Sequence, residues 1–158
     1  MESPADRAKE ILRMYWDEIV PVSPRAIAER MSVRVIADPD LTFDDLSGQF
    51  EYEGDYPTIR YNPYEPIVRQ RFTIAHELGH FVLGHGSRFR DPKQNFSSTN
   101  FDRKEVAANK FAAALLMPRE LVRSLIMEED IKTVHELAAK LNVSEVAMKY
   151  QLEHYGWL

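Results

Sequence analysis

The sequence predicts an α+β fold, in which a small, mostly antiparallel sheet of about three strands packs on two long helices and a C-terminal helical pair. Apolar residues recur at helical spacing over residues 66–84 and again over 102–117. Shorter stretches before residue 62 alternate or are β-branched, as strands are. The 158 residues are enough for one domain with a real core. We expect that domain to span residues 1–128, with the helical pair, 129–158, packed on it.

Two start signals predict the N-terminal helices. Ser3 is typical of an N-cap and is followed by Pro4, which suits the first helical position. Ser23-Pro24 repeats this signal for a shorter second helix. The first helix is expected to carry an apolar side made of Ala8, Ile11, Leu12, Tyr15, Trp16 and Ile19.

Three strands and a long loop are predicted next. Residues 33–37 alternate and are β-branched, and residues 48–53 and 57–61 form a plausible hairpin around Gly54-Asp55. Residues 87–100 are polar and contain Ser, Asn and Pro, so we expect a loop longer than usual connections. Loops of this length in a compact domain are often lids or binding loops, and otherwise they are disordered.

The two strong helices have clear ends. The first begins near Pro66 and stops at Gly84-His85-Gly86, where glycine supplies the C-terminal break. The second covers residues 102–117 and ends at Pro118, which starts another helix through residue 126. Residues 135–141 and 144–155 form the C-terminal pair.

Composition restricts the classes of function. The net charge of −5 gives no reason to expect nonspecific nucleic-acid binding. The chain has no cysteine, so histidine and carboxylate side chains are its strong metal ligands. Its N-terminus lacks the regions of a signal peptide and no apolar run approaches about 18 residues. We therefore expect a cytoplasmic protein without a membrane partner.

The first strong helix contains the stretch His76-Glu77-Leu78-Gly79-His80. His76 and His80 are one turn apart on one helix face, so both imidazoles can bind one divalent ion. Glu77 lies about 100° round the helix from His76 and can accept a proton from a water that the ion activates. A lone histidine in an apolar helix is more often a core residue, but two histidines and a glutamate need a polar partner. A metal ion is the simplest such partner.

A catalytic zinc site needs a third protein ligand. His85 is near, but the metzincin motif requires glycine three residues after its second histidine and a third histidine six after it. Leu83 and Gly86 occupy those positions here, so the metzincin interpretation fails by one residue. His85 then either hydrogen-bonds a metal ligand or lies at a solvated helix end.

Glu105 is the better candidate for the third ligand. It lies on the second strong helix, whose small residues would allow close packing on the first. Asn109 is one turn further on the same face and could hydrogen-bond a ligand. A capping box from Asp102 to Glu105 is the competing interpretation, and spacing alone divides the two evenly.

Three motifs occur in order along the chain: Phe72-Thr73-Ile74-Ala75-His76-Glu77-Leu78-Gly79-His80, Glu105-x-x-Ala108-Asn109-x-Phe111-Ala112 and Leu115-Leu116-Met117-Pro118. Together they resemble the ImmA/IrrE family of metallopeptidases. The lead-in Pro21-Val22-x-Pro24-x-Ala26-Ile27-Ala28 and the ending, 141–144 and 155–158, are also similar to that family, so the resemblance spans nearly the whole chain.

The resemblance implies a minimal zincin-like domain of the gluzincin type. It implies His76, His80 and Glu105 as metal ligands and Glu77 as general base, with Zn²⁺ favoured and Mn²⁺ as an alternative. It further implies an endopeptidase that cleaves a helix-turn-helix repressor in a bacterial or phage stress or mobile-element switch. The chain is short and starts at the peptidase region, so we expect the repressor to be a separate polypeptide.

The sequence offers several candidates for the substrate and oxyanion contacts. A substrate strand could add to an exposed edge at residues 57–61, and Tyr61, Tyr64 or His85 could stabilise the oxyanion. The alternative function is a metal-stabilised regulatory module that binds a repressor or a toxin–antitoxin partner and cleaves little or nothing. DNA binding by the C-terminal pair is disfavoured, because Lys149 is offset there by two glutamates.

Overall fold

The computed structural model describes residues 2–86, 88–92 and 102–158, and over these ranges the protein has the predicted α+β architecture. The helices are α1 Pro4–Tyr15, α2 Pro24–Arg30, α3 Ile67–Val82, α4 Arg103–Leu116, α5 Arg119–Met127, α6 Val134–Leu141 and α7 Glu145–Tyr155. The strands are β1 Arg34–Ala37, β2 Leu46–Glu53, β3 Tyr56–Tyr61 and β4 Arg88–Pro92, and a short 3-10 helix covers Pro39–Thr42.

The start of α1 is capped as its sequence predicts, but its end comes earlier. Ser3 Oγ accepts a hydrogen bond from the Asp6 amide at 3.1 Å, and the Asp6 carboxylate accepts one from the Ser3 amide. The backbone leaves the helix at Trp16, where Asp17 accepts a hydrogen bond from the Ile19 amide. This local turn competes with the helix. Ile19 is therefore 66% exposed, and its predicted place on the apolar side of α1 is wrong.

The sheet contains four strands in the order β1-β3-β2-β4. β2 and β3 form the predicted hairpin, with Phe50 opposite Ile59 and Gly54 at a positive φ in the turn. β1 pairs with β3 in parallel, whereas β4 pairs with β2 antiparallel, so the sheet is mixed although most of its pairings are antiparallel.

Strand β4 falls within the segment that the sequence predicts to be a loop. That prediction is wrong for residues 88–92, because main-chain pairing with β2 does not require an apolar alternation. The rest of the predicted loop, residue 87 and residues 93–100, lies outside the described residues.

The expected substrate edge at residues 57–61 is also wrong. These residues belong to β3, which pairs with β1 on one side and with β2 on the other. Both sets of main-chain groups in β3 are therefore used within the sheet. Among the described strands, the outer ones are β1 and β4.

One hydrophobic cluster joins the helices that surround α3. Buried residues of α6 and α7 belong to the same cluster as those of α1 and α4. Arg71 of α3 fixes this junction, since its guanidinium donates to the carbonyls of Val22, Leu141 and Asn142. The division at residue 128 stays a prediction. In the described part of the chain, every helix is too short or too polar to cross a bilayer.

Candidate metal centre

Helix α3 presents the polar residues of the site from an otherwise apolar environment. His76, Glu77 and His80 are all completely buried. The two imidazole rings lie edge to face, with 4.8 Å between their centroids, as residues one helical turn apart allow. This geometry directs one nitrogen of each ring toward the same point.

Glu105 of α4 completes the group. Its Oε2 lies 3.0 Å from His76 Nε2, and its Oε1 lies 2.8 Å from His80 Nε2. The donor atoms of the three residues are all within 4.8 Å of one another. Asp102 does cap α4, through its Oδ1 and the amides of Lys104 and Glu105, but the Glu105 carboxylate itself faces the histidines.

Close packing of α3 on α4 brings Glu105 to this position. The predicted role of small residues on α4 agrees with the structure, because Ala108 and Ala112 are completely buried. Gly79 of α3, which the sequence analysis did not single out, faces the same interface. A Cβ atom at Gly79 would lie 3.3 Å from Ala108 Cα and 3.1 Å from Phe111 Cδ1. The signal was a glycine inside a helical apolar pattern, which often has a packing reason.

Asn109 sets the hydrogen position on His76. Asn109 Oδ1 lies 2.7 Å from His76 Nδ1, so the Nδ1–H of the ring donates to the amide oxygen. The Nε2 lone pair of His76 then points at Glu105. This is the arrangement of a metal-ligating histidine whose other nitrogen is held by a neighbouring acceptor.

His85 contacts the Nδ1 atom of His80, as Asn109 contacts that of His76. Its Nδ1 lies 3.0 Å from His80 Nδ1, and its carbonyl accepts a hydrogen bond from Lys104 Nζ at 3.0 Å. Burial lowers the pKa of His85, and the positive charge of the nearby Lys104 lowers this pKa further. A neutral His85 accepts the Nδ1–H of His80, which leaves the Nε2 lone pair of His80 directed at Glu105.

These hydrogen positions make the donor set fit a cation. Two imidazole lone pairs and a carboxylate converge on one buried point, and three acceptors in such a place repel one another unless a positive charge lies between them. Two nitrogens and one carboxylate are also ligands that zinc accepts in catalytic sites. His76, His80 and Glu105 are therefore a candidate metal site.

The predicted role of Tyr61 or Tyr64 in stabilising the oxyanion stays a prediction. The Tyr61 hydroxyl accepts a hydrogen bond from Arg25 Nη2 at 2.6 Å, in a cavity of about 270 Å³ that Ile74 also lines. Ile74 lies about 200° round α3 from His76, on the far side of the helix. Tyr64 is 73% exposed in the segment before α3.

The chain matches the model of a known protein family and is similar to two characterised relatives. The family model described as "Peptidase_M78: IrrE N-terminal-like domain" matches residues 28–153. The chain is 32% identical over 105 residues to the "Radiation response metalloprotease IrrE" of Deinococcus deserti, and 29% identical over 105 residues to the protein of the same name from Deinococcus radiodurans. Each of these alignments covers 64% of the chain, and the chain spans 37% and 32% of the two relatives.

A solved structure has a similar fold. It is titled "Mycobacterium tuberculosis transcriptional regulator", and it superposes with a TM-score of 0.60 over 94% of this chain and 46% of that one. The sequence identity is 17%, so this similarity concerns the fold alone.

Proposed function

The chain belongs to the Peptidase_M78 family, with an IrrE N-terminal-like domain, because the family model matches most of the length of the chain. We propose that the protein is a zinc-dependent endopeptidase. The convergence of His76, His80 and Glu105 on one buried point, with Glu77 next to it in the helix, is the observation that carries this proposal. The names of the two Deinococcus relatives, which the chain matches over about a third of their length, agree with it.

In this proposal the ligands are His76 Nε2, His80 Nε2 and the Glu105 carboxylate. Zinc bound there would lower the pKa of a water molecule to about 7 and polarise the scissile carbonyl. Glu77 accepts the proton of the attacking water and then passes it to the leaving amine. Asn109 and His85 accept the Nδ1–H groups of the two histidine ligands and so hold the rings in the ligating tautomer.

We further propose that the substrate is a separate helix-turn-helix repressor, cleaved in a stress or mobile-element switch of a bacterium or phage. The resemblance of the three motifs to ImmA/IrrE proteins supports this substrate class. The words "radiation response" in the names of the two relatives support a stress context. Zinc is the proposed ion, and Mn²⁺ is the alternative that the same donors could bind.

The experiment compares the wild-type protein with Glu77→Gln, each loaded with zinc and incubated with a purified helix-turn-helix repressor from the same genome. The wild type is expected to cut the repressor at one position, identified by mass spectrometry. The variant should bind zinc equally well and leave the repressor intact, because the amide cannot accept the proton. Removal of the metal by a chelator should stop cleavage, and zinc should restore it.

Two results would contradict the proposal. Full cleavage by Glu77→Gln, or by the chelated protein, would remove Glu77 or the metal from the reaction. Formation of a stable complex with the repressor, without any cut by the metal-loaded wild type, would favour a regulatory binding module instead.

A further inference from the structure

Strand β2 lies close to α3 at Gly48. A Cβ atom built on Gly48 would lie 2.4 Å from Thr73 Cγ2, 3.0 Å from Glu77 Oε2 and 3.3 Å from the Arg60 carbonyl oxygen. Thr73 and Glu77 are one helical turn apart, so both face the same point on the strand. The backbone of Gly48 therefore lies directly against the carboxylate of the proposed general base.

Space, and not backbone conformation, is the reason for a glycine at this position. Gly48 pairs in register with Tyr61 of β3 and with Asp91 of β4 and has no positive φ. Any L-residue could adopt this backbone conformation. A side chain is excluded only because Thr73 and Glu77 occupy the volume that it would need.

A β-bulge fixes the strand at this point. Leu46 pairs with Pro92 and Gly48 pairs with Asp91, so β2 has one additional residue, Ser47, between these two pairs. Ser47 is completely buried, and its Oγ donates to Glu65 Oε2 at 3.0 Å. Bulges of this kind bend a strand and redirect it near functional sites. The bulge opposite β4 and the hydrogen bond from Ser47 to Glu65 therefore both help to hold Gly48 against α3.

We infer that Gly48 is a positioning residue for Glu77, whose carboxylate it confines between β2 and α3 at the orientation needed for proton transfer. This inference rests on the proposed function, because it assumes that Glu77 is the general base. Gly48 touches neither the substrate nor the ligands in this role; it acts through the carboxylate that it contacts.

Alanine at position 48 would have two separable effects. The contact with Thr73 Cγ2 is severe, and a threonine in a helix has only two common rotamers with which to relieve it. The contact with Glu77 Oε2 involves the end of a flexible side chain, which can move by a few tenths of an ångström. When the Thr73 methyl group is removed, displacement of the Glu77 carboxylate remains as the main effect of Gly48→Ala.

The test therefore uses Gly48→Ala, Thr73→Ser and the double variant Gly48→Ala/Thr73→Ser. The readouts are the thermal unfolding midpoint, the zinc affinity, and kcat and KM for cleavage of the repressor. Thr73→Ser alone should have the activity of the wild type. Gly48→Ala alone should be clearly destabilised. The double variant should regain stability and zinc affinity, whereas its kcat should stay about 10- to 100-fold below that of the wild type with an unchanged KM.

A purely structural role for Gly48 predicts a different result. In that case Thr73→Ser would restore kcat together with stability, and this outcome would overturn the inference. If the first double variant is too unstable to purify, Thr73→Ala provides the same comparison with more space.

A second readout requires no cleavage and separates this inference from the proposed function. In the Thr73→Ser background, Gly48→Ala should lower the unfolding midpoint less when Glu77→Ala has removed the carboxylate. Equal shifts with and without the carboxylate would overturn the inference. If the wild type cuts no repressor but this coupling is found, the proposed function fails while the contact between Gly48 and Glu77 stands.

Discussion

Gly79 lies where α3 crosses α4, and the structure indicates whether a larger residue there would raise or lower the free energy of unfolding. In Gly79→Ala, the new methyl group would meet Ala108 Cα and the Ala108 carbonyl oxygen at 3.3 Å, and Phe111 Cδ1 at 3.1 Å. Ordinary van der Waals contacts lie between 3.4 and 4 Å, so α4 must move by a few tenths of an ångström. The Ala108 contacts are with backbone atoms, which cannot rotate away, and Phe111 is completely buried.

Two opposing effects determine the change in stability. Alanine in a helix interior is favoured over glycine by about 1 kcal/mol. Extra methyl groups in a tightly packed core typically cost about 1–3 kcal/mol. Because the contact is with the backbone at Ala108, which is completely buried, we expect the cost of overpacking to exceed the gain in helix propensity. Gly79→Ala should therefore lower the free energy of unfolding by roughly 1 kcal/mol.

The assay is urea denaturation of the metal-free protein, followed by zinc titration against a chromophoric chelator. A shift of α4 also moves Glu105, so Gly79→Ala should weaken zinc binding. In a Glu105→Ala background the same substitution should leave the residual zinc affinity unchanged. An increase in stability of about 1 kcal/mol, the value expected from helix propensity alone, would refute the reasoning.

Three other substitutions test separate contacts. Asn109→Ala removes the acceptor for His76 Nδ1 and should weaken zinc binding about 10- to 100-fold in the chelator assay, while the circular dichroism spectrum stays unchanged. Arg71→Met leaves three main-chain carbonyls without their guanidinium donor and should lower the free energy of unfolding by about 2–4 kcal/mol in urea; no change would show that the junction with the C-terminal pair does not depend on Arg71. Hydrogen bonds from Arg60 hold the pKa of Glu53 below its usual 4.5, so this carboxylate stabilises the folded state above pH 4.5 and the gain is lost as the pH falls through the lowered pKa. Glu53→Gln should therefore cost up to about 1 kcal/mol at neutral pH, and the difference from the wild type should shrink in acid; a constant difference would contradict this.

The part of the site that could be predicted from sequence is the part that depends on helical periodicity. His76, Glu77 and His80 belong to one helix, and their relative positions follow from its repeat alone. Glu105 lies on another helix, so its spacing fitted a ligand and a capping residue equally well, and only the resemblance to a family favoured the ligand. The structure has both features, since Asp102 caps α4 while the Glu105 carboxylate reaches the histidines.

The features that sequence reasoning missed depend on pairs of elements. Strand β4 has a polar sequence and is defined by its pairing with β2, and β3 is central only because β1 pairs with its second side. Gly48 and Gly79 each occupy a contact in which two elements are too close for a side chain. A single sequence marks such positions only as glycines within regular elements, without the partner that explains them.

The central claim is that His76, His80 and Glu105 hold one metal ion. Diffraction from crystals of the zinc-loaded protein, recorded at the zinc absorption edge, tests it most directly. We expect one strong anomalous peak about 2.0–2.2 Å from His76 Nε2, His80 Nε2 and a Glu105 oxygen. Zinc bound at another place, or at these histidines without Glu105, would contradict the claim.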